Sequence, residues 1–310
     1  MTHFNIFVPS GPLLTQCSHV TQQTKNIAES TKVGVDRLVR QQDQEKFQKI
    51  VEWLSSVNPK LKQSDLLRSR QEGTGQWFLE TDCFRQWVHS TNQDEQTLFC
   101  PGIPGAGKTL LASTVVNEIH QSFQHDKSVG LAFFYCDFRE SLTIEAILGC
   151  LLAQLAQRLP VFPELLEDLY DDHLAMRTRP TTSELVEILH VTVSRFLKVF
   201  VVIDALDECE VSDGTCTTVI EQIFSLQKRN NLAFLATSRD QPDISIKFEG
   251  LPCLRIRATE GDIEKFLRGQ MRVLPNFVQR SPELQTDIVS KITEAVDGMQ
   301  VILSNNLSGN

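Results

Sequence analysis

The spacing of apolar residues divides the chain into three stretches. Up to about residue 96 the period is helical or absent. Residues 1–18 have no clear period and carry Pro9 and Pro12, which reads as an irregular lead. Val20, Thr24, Ile27, Thr31 and Leu38 mark a weak helical stripe. Phe47, Ile50, Val51, Leu54 and Val57 mark a stronger one on a single face. Asn58-Pro59 is expected to stop that helix, so 19–58 reads as an N-terminal helical segment. Residues 59–96 read as a linker, polar over 60–80 with a loop at Gly73-Thr74-Gly75, followed by a short helix over Thr81 to His89.

From residue 97 the period alternates. Thr97 to Cys100, Val129 to Tyr135, Val199 to Ile203 and Leu232 to Ala236 are short apolar runs at strand length, with Cys253 to Ile256 as a fifth. Between them lie helical patterns over Lys108 to Phe123, Thr143 to Leu159, 162–174, 182–197 and 216–227. Strands separated by helices of this length predict an α/β fold, a parallel sheet covered by helices on both faces, over 97–258. After Thr259 only helices follow, at 260–271 and 282–296, predicting a small helical subdomain over 259–299 and a polar tail over 300–310.

A chain of 310 residues can bury a sizeable core. Its net charge of −9 argues against nucleic acid as a partner, because phosphate-backbone binding usually needs a basic surface. Residues 1–70 are the exception, with ten Lys+Arg against six Asp+Glu, and read as a solvated helical face. The eight cysteines show no C-x-x-C pair and no Cys/His quartet at zinc spacing, which predicts buried reduced thiols. No apolar run approaches a membrane span and no signal peptide is evident, so a cytoplasmic protein is expected.

The sharpest local pattern is G-x-x-x-x-G-K-[ST] at Gly102-Ile103-Pro104-Gly105-Ala106-Gly107-Lys108-Thr109. Glycines let backbone N–H groups converge on an anion with no Cβ in the way. Such a loop must run into a helix N-terminus, whose free amides, up to that of Leu110, and dipole favour negative charge. Lys108 is placed to reach β- and γ-phosphate oxygens, and the Thr109 hydroxyl to ligate Mg²⁺. A chance match in a chain this long is on the order of one in a hundred, which sets an ordinary tight turn aside.

Two further patterns close apolar strands with polar groups, at the sheet edge where α/β crevices form. Val199 to Ile203 ends in Asp204, a candidate Mg²⁺ ligand, and Asp207 and Glu208 follow as candidates to orient or deprotonate water. Between those two, Glu208 is favoured. Leu235-Ala236-Thr237-Ser238-Arg239 ends in an arginine whose fork suits a γ-phosphate, a surface arginine beside a turn being the alternative.

Together these elements resemble the STAND class of P-loop NTPases, and within it the NACHT-type members. The match is similar to fungal NACHT proteins, also described by a nephrocystin 3-like N-terminal P-loop domain. It is carried by Cys100-Pro101 with the glycine loop, by Gln71-Glu72-Gly73-Thr74-Gly75-Gln76-Trp77, by Ile203-Asp204-Ala205-Leu206-Asp207-Glu208 and by Ala236-Thr237-Ser238-Arg239, over about residues 45–300. The resemblance implies an ASCE-type sheet with the Thr237 strand between the P-loop strand and the Asp204 strand. It implies an ATP/ADP switch with Mg²⁺ as cofactor, controlling self-association in defence or programmed-death signalling of the NOD-like receptor kind, with the N-terminal helices meeting the partners. Gly73 to Gly75 would contact the base, a plain loop being equally compatible. In such proteins a winged-helix region and repeats follow; the chain ends at Asn310, with Gln300 and a polar stretch where relatives continue in an apolar helix, so a truncated form is expected.

The function expected is therefore a nucleotide-dependent switch with slow Mg-dependent hydrolysis. A non-hydrolysing module stabilised by nucleotide is the alternative. A small-molecule kinase is disfavoured, because no arginine-rich lid segment is present and Asp207-Glu208 suits water activation.

Overall fold

The computed structural model describes residues 12–55, 57–139, 142–209, 214–271 and 274–307. Two compact units emerge, residues 1–53 and 54–310. The first is built on helix α1 (Pro12–Leu54), 43 residues long, which joins the two stripes read separately in the sequence. The irregular lead is thereby corrected from residue 12 onward: Pro12 opens the helix, where a missing N–H costs nothing. Residues 1–11 of that lead lie outside the described residues.

Asn58-Pro59 starts a helix rather than stopping one. Its predecessor has already ended at Leu54, and the Asn58 side chain accepts from Lys60 N at 3.2 Å to cap α2 (Pro59–Ser69), with Pro59 in its first turn. The polar 59–96 segment is thus no plain linker; α3 (Gln76–Leu79) and α4 (Asp82–His89) follow α2. Apolar periodicity passes over α2 because its buried residues are Pro59 and Gln63. Gln63 Nε2 donates to Ser113 O at 2.9 Å, and its Oε1 accepts from the Tyr135 hydroxyl.

Strands β1 (Thr97–Pro101), β2 (Val129–Tyr135), β3 (Lys198–Asp204) and β4 (Leu232–Ser238) form one parallel sheet in the order β1-β4-β3-β2. Register is fixed by pairs such as Phe99↔Ala236, Ile203↔Ala236 and Tyr135↔Asp204. The Cys253–Ile256 stretch does not make a full strand. It runs beside β1 through isolated bridges, with Leu254 N donating to Phe99 O at 2.9 Å and Ile256 N to Pro101 O at 2.7 Å.

Nearly every strand residue is buried, as a sheet covered on both faces requires. On one face Leu98, Cys100, Phe200, Val202 and Leu235 pack with Phe84 and Trp87 of α4 and with α5 (Lys108–Phe123). The other carries α6 (Ile144–Arg158) and α9 (Thr215–Gln227), with α8 (Thr182–Val193) packed on both; α7 (Glu164–Met176) precedes α8 in the chain, and short α10 (Pro242–Ser245) follows β4. Gln154 of α6 closes the outer edge of β2, its amide donating to Phe133 O at 2.8 Å and accepting from Phe133 N at 3.2 Å.

After the sheet, α11 (Glu260–Gln270), α12 (Asn276–Gln279) and α13 (Pro282–Leu307) share a small core of Met271, Val278 and Val289 with Leu267, Leu274, Leu284 and Ile288. The expected polar tail is corrected in part, since residues 300–307 continue α13; 308–310 lie outside the described residues. Among the described residues no helix is long and apolar enough to cross a membrane. Of the described cysteines, Cys100, Cys136, Cys150, Cys209 and Cys216 are buried free thiols, as expected, but Cys253 is exposed.

Candidate functional site

Strand β1 delivers Gly102 to the carboxyl edge of the sheet, where its N–H donates to Ser238 O at 3.0 Å. A Cβ on Gly102 would sit 2.7 Å from Ile256 O, so the neighbouring extended segment admits only glycine there. Gly105 (φ +80°) and Gly107 (φ +86°) are left-handed, and the places their Cβ atoms would take are open space. Gly107 leads into α5, where Leu111 N bonds back to Gly107 O at 2.9 Å. The amides of Lys108, Thr109 and Leu110 belong to the first turn, which has no intrahelical acceptors. The loop is thus a concavity rimmed by Gly105 and Gly107, with donors at its floor, which fits an anionic group.

Lys108 folds back across this loop, its Nζ donating to Gly102 O at 2.8 Å and Ile103 O at 3.0 Å. Burial lowers its pKa, opposed by the negative charges of Asp207, Asp204 and Glu208, while Arg239 adds to the lowering. All five charged positions singled out in the sequence therefore lie within electrostatic reach of one another.

Asp204 closes β3 and is 1% exposed. Thr237 Oγ1 donates to its Oδ1 at 2.6 Å and itself accepts from Ala205 N at 2.9 Å. Burial raises the Asp204 pKa; the Thr237 and Thr109 hydroxyls and the Lys62 and Lys108 charges draw it down. The Thr109 hydroxyl and the Asp204 carboxylate lie within electrostatic reach of each other, and both suit a Mg²⁺ bound through phosphates. Among the described residues no three His, Cys, Asp or Glu side chains form a cage that would hold a metal by themselves.

The chain turns sharply after Asp204: Ala205 is left-handed (φ +56°), and a 3₁₀ turn over Leu206–Glu208 follows. The Asp207 carboxylate accepts from Arg239 N at 2.8 Å and pairs with Arg239 Nε at 3.0 Å, with only 3% of its side chain exposed. Arg239 is half-exposed and held by the same pair. Glu208 is partly buried, and among the described residues its side chain forms no ion pair.

Other residues escaped sequence reasoning. Lys62 of α2 lies 3.4 Å from Asp137, just past β2, and Asp137 is gripped by Arg139 Nε at 2.8 Å, which holds its carboxyl well below the usual range. No motif flags them, since the three converge only once α2 packs against β2. Beside the glycine loop opens a cavity of about 380 Å³, lined among others by Gly75, Leu110, Arg257, Phe266 and Ile292. Gly75 of the 73–75 stretch borders it; the signal available was the pair of glycines alone.

A parallel sheet in this order, a glycine loop between β1 and α5, an acid closing β3 and a polar end on β4 define the fold of a P-loop NTPase. More specifically, the chain belongs to the family described as nephrocystin 3, N-terminal, which matches residues 73–239, more than half of its length. It is also similar to vegetative incompatibility protein HET-E-1 of Podospora anserina, 25% identical over 185 residues; the match covers 56% of this chain but only 13% of that protein. Among solved structures, domain III of the replication initiation protein DnaA of Thermotoga maritima aligns with a TM-score of 0.41 at 14% identity, covering 78% of this chain and 89% of that one. A Walker-type ATPase of Pyrococcus abyssi aligns at 0.43 and 13%, covering 77% of each. At such scores neither bears on the fold, which rests on the strand order and the family match.

Proposed function

We propose that the chain is an ATP/ADP-binding switch of the STAND type with slow Mg-dependent hydrolysis. The observation that carries this reading is Lys108 arched over an open, left-handed glycine loop, within electrostatic reach of the buried Asp204 carboxylate. When bound, Mg²⁺ would neutralise phosphate charge from the Thr109 hydroxyl and Asp204. Lys108 exchanges two carbonyl acceptors for phosphate oxygens, a stronger, charge-assisted interaction. Glu208 takes the proton of an attacking water, and Arg239, anchored through Asp207, keeps its remaining N–H donors for the γ-phosphate. A switch needs different affinities of the two nucleotides for two conformations; a hundredfold difference supplies about 2.7 kcal/mol.

Similarity to an incompatibility protein supports a signalling or self-association core of a fungal NOD-like receptor, acting in the cytoplasm. The N-terminal helix is the surface proposed to meet a second copy or a signalling partner: Val33 and Leu38 are 61% and 67% exposed on α1. The net charge of −9 supports a partner other than nucleic acid. A second reading, a nucleotide-stabilised module without turnover, is favoured by one observation, the commitment of Asp207 to Arg239, which leaves one acid for water activation.

Steady-state ATP turnover separates the two. The switch predicts slow turnover by the wild type, nucleotide affinity weakened on the order of a hundredfold in Lys108→Ala, and intact binding with turnover cut about a hundredfold or more in Glu208→Gln. Tight binding without wild-type turnover would leave the module reading in its place.

A further inference from the structure

Helix α11 is fastened to residues 71–77, the loop before α3 and the start of that helix, by a compact set of contacts. One carboxylate oxygen of Asp262, in the first turn of α11, accepts from Gly75 N at 2.8 Å and from Trp77 Nε1 at 3.1 Å. One turn on, Lys265 Nζ donates to Gly73 O at 2.9 Å. Farther along, the helix backbone lies against Gln71, since a Cβ added to Gly269 would fall 1.8 Å from Gln71 Oε1. Gly75 has φ +76° and no side-chain cap from its own helix, so Asp262 satisfies that corner from across the chain.

This joint borders the 380 Å³ cavity that opens from Gly105 and Gly107 of the phosphate loop. Phe266 of α11 and Ile292 of α13 line it although 44% and 38% exposed. They leave apolar surface beside the place where phosphates would be held. Helix α11 has no fully buried residue, so its hold on the loop depends heavily on these polar contacts.

We propose that Asp262 is a positioning residue, a latch that keeps α11 closed over the apolar half of the site and so sets how fast nucleotide leaves. The inference rests on the nucleotide-binding reading above. A nucleoside attached to phosphates on the glycine loop has this cavity beside it, and widening the cavity means parting Asp262 from Gly75 and Trp77. Release then follows the opening of the joint rather than the breaking of phosphate contacts alone.

The test is displacement of a fluorescent methylanthraniloyl ADP from the full chain, followed by stopped flow. Asp262→Ala should release it about tenfold faster, the effect of losing a charge-assisted pair of hydrogen bonds. Asp262→Asn, which keeps an acceptor oxygen, should stay within about threefold of wild type, and Trp77→Phe should fall between. Combining Trp77→Phe with Asp262→Ala should add nothing further, because both break the same contact. The nucleotide-free melting temperature of Asp262→Ala should fall far less than its release rate rises. Wild-type binding with unchanged release from Asp262→Ala, or equal release from the Ala and Asn variants, overturns the latch while leaving nucleotide binding intact. Absence of wild-type binding overturns both.

Discussion

Lys198 opens β3 and also ends α4. Its ammonium donates to Val88 O at 2.6 Å and Ser90 O at 3.0 Å, satisfying carbonyls at the helix C-terminus, and lies 5.1 Å from the centre of the Phe200 ring. Burial lowers its pKa to about 8, against about 10.4 in an unfolded chain. Below the lower value both states hold the proton and above the higher neither does. Between them the unfolded chain binds more protons, so stability from this group rises with pH. Urea unfolding from about pH 8 to about pH 10 should therefore show wild type gaining on Lys198→Met; a constant difference would contradict the assignment. At the same scale, Lys108, Thr109 and Asp204 were legible because their chemistry is written in local spacing beside a strand. The engagement of Asp207 with Arg239 was not, because the partners stand on different strand ends and meet only through the pairing of β3 with β4. Asp262 escaped for the same reason: in sequence it is one more acid in the first turn of a helix.

Helix α6 shows how an element is limited by its surroundings. Ala normally stabilises a helix interior over Gly by about 1 kcal/mol. At Gly149, however, an added Cβ would meet the Leu54 carbonyl oxygen at 2.3 Å, and backbone cannot step aside cheaply. Gly149→Ala is therefore expected to destabilise by about 1–3 kcal/mol in chemical denaturation, the overpacking cost exceeding the propensity gain; a more stable variant would refute the close approach. The α/β elements were readable because buried parallel strands are continuous apolar runs, and Val199 to Ile203 needed only one residue added at each end. The amino-terminal elements were harder. Pro12 and Pro59 look like helix breakers in sequence, yet each sits in the first turn of a helix, where proline is tolerated. The 253–256 stretch has strand character but pairs through isolated bridges alone, which periodicity cannot distinguish from a full strand.

For the molecule as a whole, the order β1-β4-β3-β2 brings the glycine loop, Asp204 and Arg239 to one edge of one sheet. The resemblance implied this order, with the Thr237 strand in the middle, while hydrophobic spacing alone gave a parallel sheet with one strand too many, the 253–256 run. The cavity beside the loop depends on residues as distant as Gly75 and Ile292, a convergence no linear pattern encodes. If this assembly holds nucleotide, ligand at about a hundred times its Kd should stabilise the chain by about 2.7 kcal/mol and raise its melting temperature by several degrees. The most direct test is calorimetric titration of the purified chain with ADP and ATP, with and without Mg²⁺, beside Lys108→Ala. The account predicts saturable, Mg-enhanced, one-to-one binding that the substitution weakens on the order of a hundredfold. No heat of binding from folded wild-type protein, or equal affinity in Lys108→Ala, would contradict it.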